Sequence, residues 1–176
     1  MNKKIFIACD TNKISTAKKI INSTRTNKIN IGYKFGLEFW NSKNGRSFIS
    51  KLKNKVIFAD LKLLDIPNTC RSAIKSIKDI KNINYLTVHV SGGLQMLKTI
   101  KSASGKIKIL GVTTLTSLDN KALKQIGYKK NVKQLVLHQA KLAKLAKLNG
   151  IICSPHEAKF LKKICKGMEI ITPGIR

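Results

Sequence analysis

A chain of 176 residues, 43% of them hydrophobic and only three of them proline, can bury one sizeable core and is too short for two ordinary domains, so a single domain over residues 1–176 is expected. Its 35 Lys and Arg against 8 Asp and Glu give a formal charge of +27, which favours anionic partners over the whole surface. The lysines are scattered among Ile and Asn, with few arginines and little aromatic interleaving, so no specific nucleic acid is expected as a partner.

The opening MNKKIFIACD holds one short apolar run before Asp10, far less than a signal peptide or a membrane helix requires. A cytoplasmic protein with no membrane partner is expected. Apolar, β-rich runs then recur at residues 5–9, 29–35, 56–61, 85–90, 107–113, 150–153 and 168–172, with Lys-rich stretches of helical spacing between them. This alternation predicts parallel strands joined by right-handed helical crossovers.

The clearest helix is predicted over residues 132–149. Val132, Leu135, Val136, Ala140, Ala143 and Ala146 form one apolar stripe, Lys133, Lys141 and Lys144 occupy another face, and Gly150 is placed to end the helix. Seven strands at this spacing suit an open doubly wound sheet or a (β/α)₈ barrel without its last unit. A nucleotide-binding doubly wound sheet calls for GxGxxG after the first strand, where this chain has Asp10-Thr-Asn, so the incomplete barrel is preferred. Cys9, Cys70, Cys153 and Cys165 form no CxxC pair and read as reduced, buried side chains.

Polar residues gather at the carboxyl ends of these strands, where a barrel carries its active site. Asp10 follows the first strand, Lys34 lies on the second, Asp60 and Lys62 on the third, His89 on the fourth, Thr113 and Thr116 follow the fifth, and Ser154 follows the sixth. In DLKLLDIPNT, at 60–69, the strand period sends Asp60 and Lys62 to one side and Leu61 to the other. Buried charges require opposite charges beside them, and Lys34 is available on the neighbouring strand, so an alternating Lys and Asp array is predicted. Such an array suits an acid that delivers a proton to a carbanion beside a departing carboxylate. Spacing alone leaves a structural ion-pair network equally open.

DLKLLDIPNT resembles the signature of the orotidine 5′-phosphate decarboxylases. The resemblance extends through IACD at 7–10, YKFGLEFW at 33–40, TVHVSGG at 87–93, TTLTSLD at 113–119, GIICSPHEA at 150–158 and ITPGIR at 171–176, and so covers the whole chain. It implies a carboxy-lyase of pyrimidine biosynthesis that converts orotidine 5′-phosphate to UMP and CO₂ with no metal and no organic cofactor. Lys62 would donate the proton to C6 of the pyrimidine and Asp60 would crowd the substrate carboxylate. Asp10 and Lys34 would hold the ribose hydroxyls. Asp65 and Thr69, in the loop after the third strand with Ile66, would serve the partner subunit's site in a homodimer with sites at its interface. Ile66 and Thr116 would be further substrate-binding positions, Ser154 would lie near the pyrimidine ring and Arg176 near the phosphate. His89 matches a family histidine, and Gly92-Gly93 reads as a tight turn. Relatives continue past TPGIR with a glutamine-bearing loop and an eighth strand ending in Gly-Arg, both of which grip the phosphate; their absence here implies a C-terminal truncation with a weakened grip. The alternatives are a sugar-phosphate lyase of the same barrel superfamily, expected to need a divalent metal, and a non-catalytic basic protein that binds nucleic acid.

Overall fold

The computed structural model describes residues 4–174. Within them, strands alternate with helices from end to end: β1 (Lys4–Ala8), α1 (Ile14–Ser23), β2 (Asn30–Gly36), α2 (Leu37–Trp40), α3 (Gly45–Ser50), β3 (Val56–Leu63), α4 (Pro67–Lys78), β4 (Ile83–His89), α5 (Gly93–Ala103), β5 (Lys108–Val112), α6 (Asn120–Gln125), α7 (Val132–Leu145), β6 (Gly150–Ile152), α8 (Pro155–Ile164) and β7 (Glu169–Ile171). All seven predicted strands are present. Strand order follows chain order from β1 to β7, and the ladders of β1 with β2, β2 with β3, β5 with β6 and β6 with β7 are parallel. A doubly wound sheet reverses its strand order at a switch point, and no reversal occurs here; sequential order is that of a barrel.

The chain forms two compact units. One comprises the residues up to Leu61 with Lys75–Leu86, and the other comprises Lys62–Ile74 with the residues from Thr87 onward. The first unit is built on aromatic packing. Phe6, Phe58 and Tyr85 meet with ring centroids 5.0 to 6.1 Å apart, a geometry that adds about 1 kcal/mol per pair to their burial. Gly32 lies in the adjoining strand because a Cβ there would come within 2.7 Å of the Phe6 ring. Phe35 of β2, Phe39 of α2 and Phe48 of α3 form a second aromatic group, with Phe39 at its centre.

The second unit is aliphatic. Ile109, Leu110, Val136, Ala140, Ala143, Ile151 and Leu161 are fully buried, and α7 packs on α5, α8 and β6. Of the stripe expected on α7, Leu135, Val136, Ala140 and Ala143 are buried, as is Ala146 at the C-cap; Gln139 joins them, and Val132 on the first turn is only half-buried. Its end differs from expectation. The helix stops at Leu145, and Lys147, at φ +56°, takes the left-handed position. Lys147 N–H then donates to Lys144 O at 2.9 Å and Leu148 N–H to Ala143 O at 3.0 Å, the paired bonds of a Schellman end. Gly150 therefore does not end the helix. It opens β6, where a Cβ would lie 2.5 Å from Glu169 O and 2.8 Å from Leu110 Cδ2, so close approach of neighbouring strands is what requires glycine there. The Gly92-Gly93 turn is as expected, with Gly93 at φ +82° opening α5.

All four cysteines are free and buried. Burial pushes the Cys153 thiol up to about 12 and raises those of Cys70 and Cys165, so these are inert core groups. No helix among the described residues is long and apolar enough to cross a membrane.

Candidate active site

In the first unit the parallel register sets Ala8 beside Lys34 and Gly36 beside Asp60, which aligns the carboxyl ends of β1, β2 and β3. Three predicted site residues meet there. Lys34 Nζ lies 3.2 Å from Asp10 Oδ1 and 3.5 Å from Asp60 Oδ2. Their side-chain exposures are 23% for Lys34, 66% for Asp10 and 14% for Asp60, and these decide what each pair is worth. The Asp10 pair, though shorter, is largely solvated and contributes about 0 to 1 kcal/mol. The Asp60 pair is mostly withdrawn from water, so a partner lost there costs more, up to about 3 to 5 kcal/mol for a fully buried pair. Cys9, between Asp10 and β1, is pinned by a bond from its N–H to Lys34 O at 2.8 Å. Burial, with Asp10 adding and Lys34 opposing, pushes its thiol up to about 11.

In the second unit Lys62 stands near the end of β3 with φ +49°, a left-handed conformation that costs a non-glycine residue about 1 to 2 kcal/mol. Its N–H donates to the hydroxyl of Thr87 at 2.9 Å, and Thr87 is fully buried. Asp65 and Ile66 follow, both exposed; Asp65 Oδ1 accepts the Ile66 N–H at 2.7 Å. Thr69 is not in the loop. Pro67 is the first residue of α4, and Cys70 N–H already reaches Ile66 O at 3.1 Å, so Thr69 is exposed on the first helical turn, where proline's fixed φ favours an immediate start.

The residues expected after β5 and β6 are differently placed. Thr113 is buried, and its hydroxyl donates to Ile152 O at 3.0 Å, so it ties β5 to β6. Thr114 is also buried and donates to Gln139 Oε1 at 3.1 Å. Thr116 is exposed in the loop before α6. Ser154 caps α8, where its N–H donates to Glu157 Oε2 at 2.8 Å. It lines a cavity of about 360 Å³ together with Asn120, Asn131, Lys133, His156 and Phe160. His89 ends β4, half-buried. Arg176 lies outside the described residues. Among the described residues no three His, Cys, Asp or Glu side chains gather where they could hold a metal ion.

Sequence reasoning missed Thr87, Gln139 and Glu157. Thr87 carried a signal, since it is two residues before His89 on one strand and so shares its face. The other two sit on helices, where a polar residue reads as solvated until packing is known.

A sequence model of the orotidine 5′-phosphate decarboxylase / HUMPS family matches residues 3–176. The chain belongs to this family. Its relatives include orotidine 5′-phosphate decarboxylases of Wolbachia pipientis subsp. Culex pipiens, 41% identical over 98% of this chain and 76% of that one, and of Oenococcus oeni, 38% identical over 100% of this chain and 78% of that one. The crystal structure of orotidine 5′-phosphate decarboxylase from Lactobacillus acidophilus superposes with a TM-score of 0.88 at 34% identity, covering 98% of this chain and 81% of that chain. The fold is thus the (β/α)₈ class of this decarboxylase family, represented by seven of its strands among the described residues.

Proposed function

We propose that the protein decarboxylates orotidine 5′-phosphate to UMP and CO₂, with Lys62 as the acid. The observation that carries this is Lys34 held between Asp10 and Asp60 in a chain of this family, with Lys62 two residues beyond Asp60 on the same strand. In the reaction the bond from C6 of the pyrimidine to the carboxylate breaks, CO₂ departs, and the electron pair left on C6 takes a proton from Lys62 Nζ. Asp60, held against Lys34, has little freedom to retreat from the substrate carboxylate; this raises the bound substrate relative to the transition state, in which that charge is leaving. Asp10 is largely solvated and pairs with Lys34 through Oδ1, which suits an acceptor for a ribose hydroxyl. Thr116 and Ser154 complete the substrate contacts, and residues 1–176 work as one domain in the cytoplasm.

The curated relatives favour this over a sugar-phosphate lyase, since both of those named above are orotidine 5′-phosphate decarboxylases. Purified protein given orotidine 5′-phosphate in the presence of excess chelator should release CO₂ and UMP. Turnover that vanishes with chelator and returns with a divalent cation would favour the sugar-phosphate branch.

We further read the exposed Leu64-Asp65-Ile66 segment, with Leu64 55% and Ile66 66% exposed, as the part shared with a second copy of the chain. Mixing an inactive Asp65→Ala chain with an inactive Lys62→Ala chain should restore part of the activity, because some mixed dimers then carry one intact site. No recovery despite demonstrated subunit exchange would place each site within one chain.

A further inference from the structure

The bond between Lys62 N–H and the Thr87 hydroxyl lies beneath the residue on which the chemistry depends. A lysine ammonium sits on a flexible four-carbon stem, so its reach is set by where the stem starts and in which direction. That direction is fixed by a backbone conformation which lysine does not favour, φ +49°. Thr87 has no exposed surface, and valine would fill the same shape there without the cost of burying a hydroxyl. The 2.9 Å bond from Lys62 N–H explains why a hydroxyl is present, because it fixes the peptide plane entering Lys62 and so holds the left-handed turn.

We infer that Thr87 is a positioning residue for Lys62, acting through the backbone and not on the substrate. This rests on the proposed role of Lys62 as proton donor. The Thr87 hydroxyl sets where the Lys62 stem leaves β3, and its loss lets the main chain relax toward a right-handed or extended conformation that carries Nζ away from C6. A displacement of about 1 Å at a reacting group lowers rate by roughly 10²-fold. Binding, which rests on groups other than the proton in transit, is left nearly intact.

The test compares Thr87→Val with Thr87→Ser. The valine chain should lose on the order of tenfold to a hundredfold in kcat while KM and UMP affinity stay within about threefold, and the serine chain should keep kcat within about threefold of the parent. If circular dichroism shows the valine chain unfolded, Thr87→Ala set against Thr87→Ser makes the same comparison, since both lack the γ-methyl and only serine keeps the oxygen. A kcat for valine within twofold of the parent overturns the inference, as does a serine chain as slow as valine or alanine, or a valine chain whose UMP affinity falls in step with kcat. Lys62→Ala separates the two levels. If that chain turns over normally, the assignment of Lys62 itself is wrong; if it is dead while Thr87→Val is normal, only the positioning role is lost.

Discussion

At the carboxyl ends of β1, β2 and β3 the charged side chains are bonded to one another, whereas at those of β5 and β6 the polar side chains are bonded to backbone groups or to a buried side chain of α7. Asp10, Lys34 and Asp60 make one charged network. Thr113 donates to a strand carbonyl, Thr114 to Gln139, and Glu157 accepts the N–H of Ser154. The difference teaches which strand-end residues are free to do chemistry. A side chain that satisfies a backbone group cannot leave it without exposing a buried donor or acceptor, at about 1 to 3 kcal/mol. Charged groups that satisfy each other can take a charged substrate into the network at lower cost, because the array is already organised around opposite signs.

Two substitutions would break or sharpen this contrast. The larger effect is expected from Lys34→Ala, which removes the cation that Asp10 and Asp60 share. kcat/KM should fall on the order of 10³-fold, with folding retained, because the lost group both holds substrate and fixes Asp60. Steady-state kinetics beside a thermal melt would check it; a loss under tenfold would mean that the network is structural. The smaller effect is expected from Ser154→Ala, with about a fivefold fall in kcat/KM, carried mainly by KM, because this side chain offers one neutral hydrogen bond worth about 1 kcal/mol. If Ser154→Ala proves the more damaging of the two, the chemistry belongs to the β5 and β6 side and the contrast is reversed.

Much of this is legible in the sequence, for reasons that can be named. The seven strands stand out because parallel strands buried on both faces read as short apolar runs, and Lys34, Asp60 and Lys62 stand out because charges in such runs are costly and must be paired. Adjacency of β2 and β3 brings Lys34 within reach of Asp60, although the register that sets the pair at 3.5 Å is a tertiary choice. What escapes depends on geometry that no spacing encodes. The left-handed turn at Lys62 and its bond to Thr87 are tertiary choices, and nothing in DLKLL marks one. Gly150 reads as a helix stop because glycine often is one, yet the helix has already closed with a left-handed lysine and the glycine is needed by the sheet. Thr69 reads as a loop residue, although Pro67 starts a helix at once and proline at that position is itself a start signal.

The central claim is that Lys62 delivers the proton. Its most direct test is the Lys62→Ala chain, measured for turnover of orotidine 5′-phosphate and, separately, for UMP affinity by calorimetry. Removing the only acid in the proposed mechanism should cost at least about 10⁴-fold in kcat, since little else could protonate C6, while UMP binds within about tenfold of the parent. A Lys62→Ala chain that still turns over within tenfold of the parent would contradict the account.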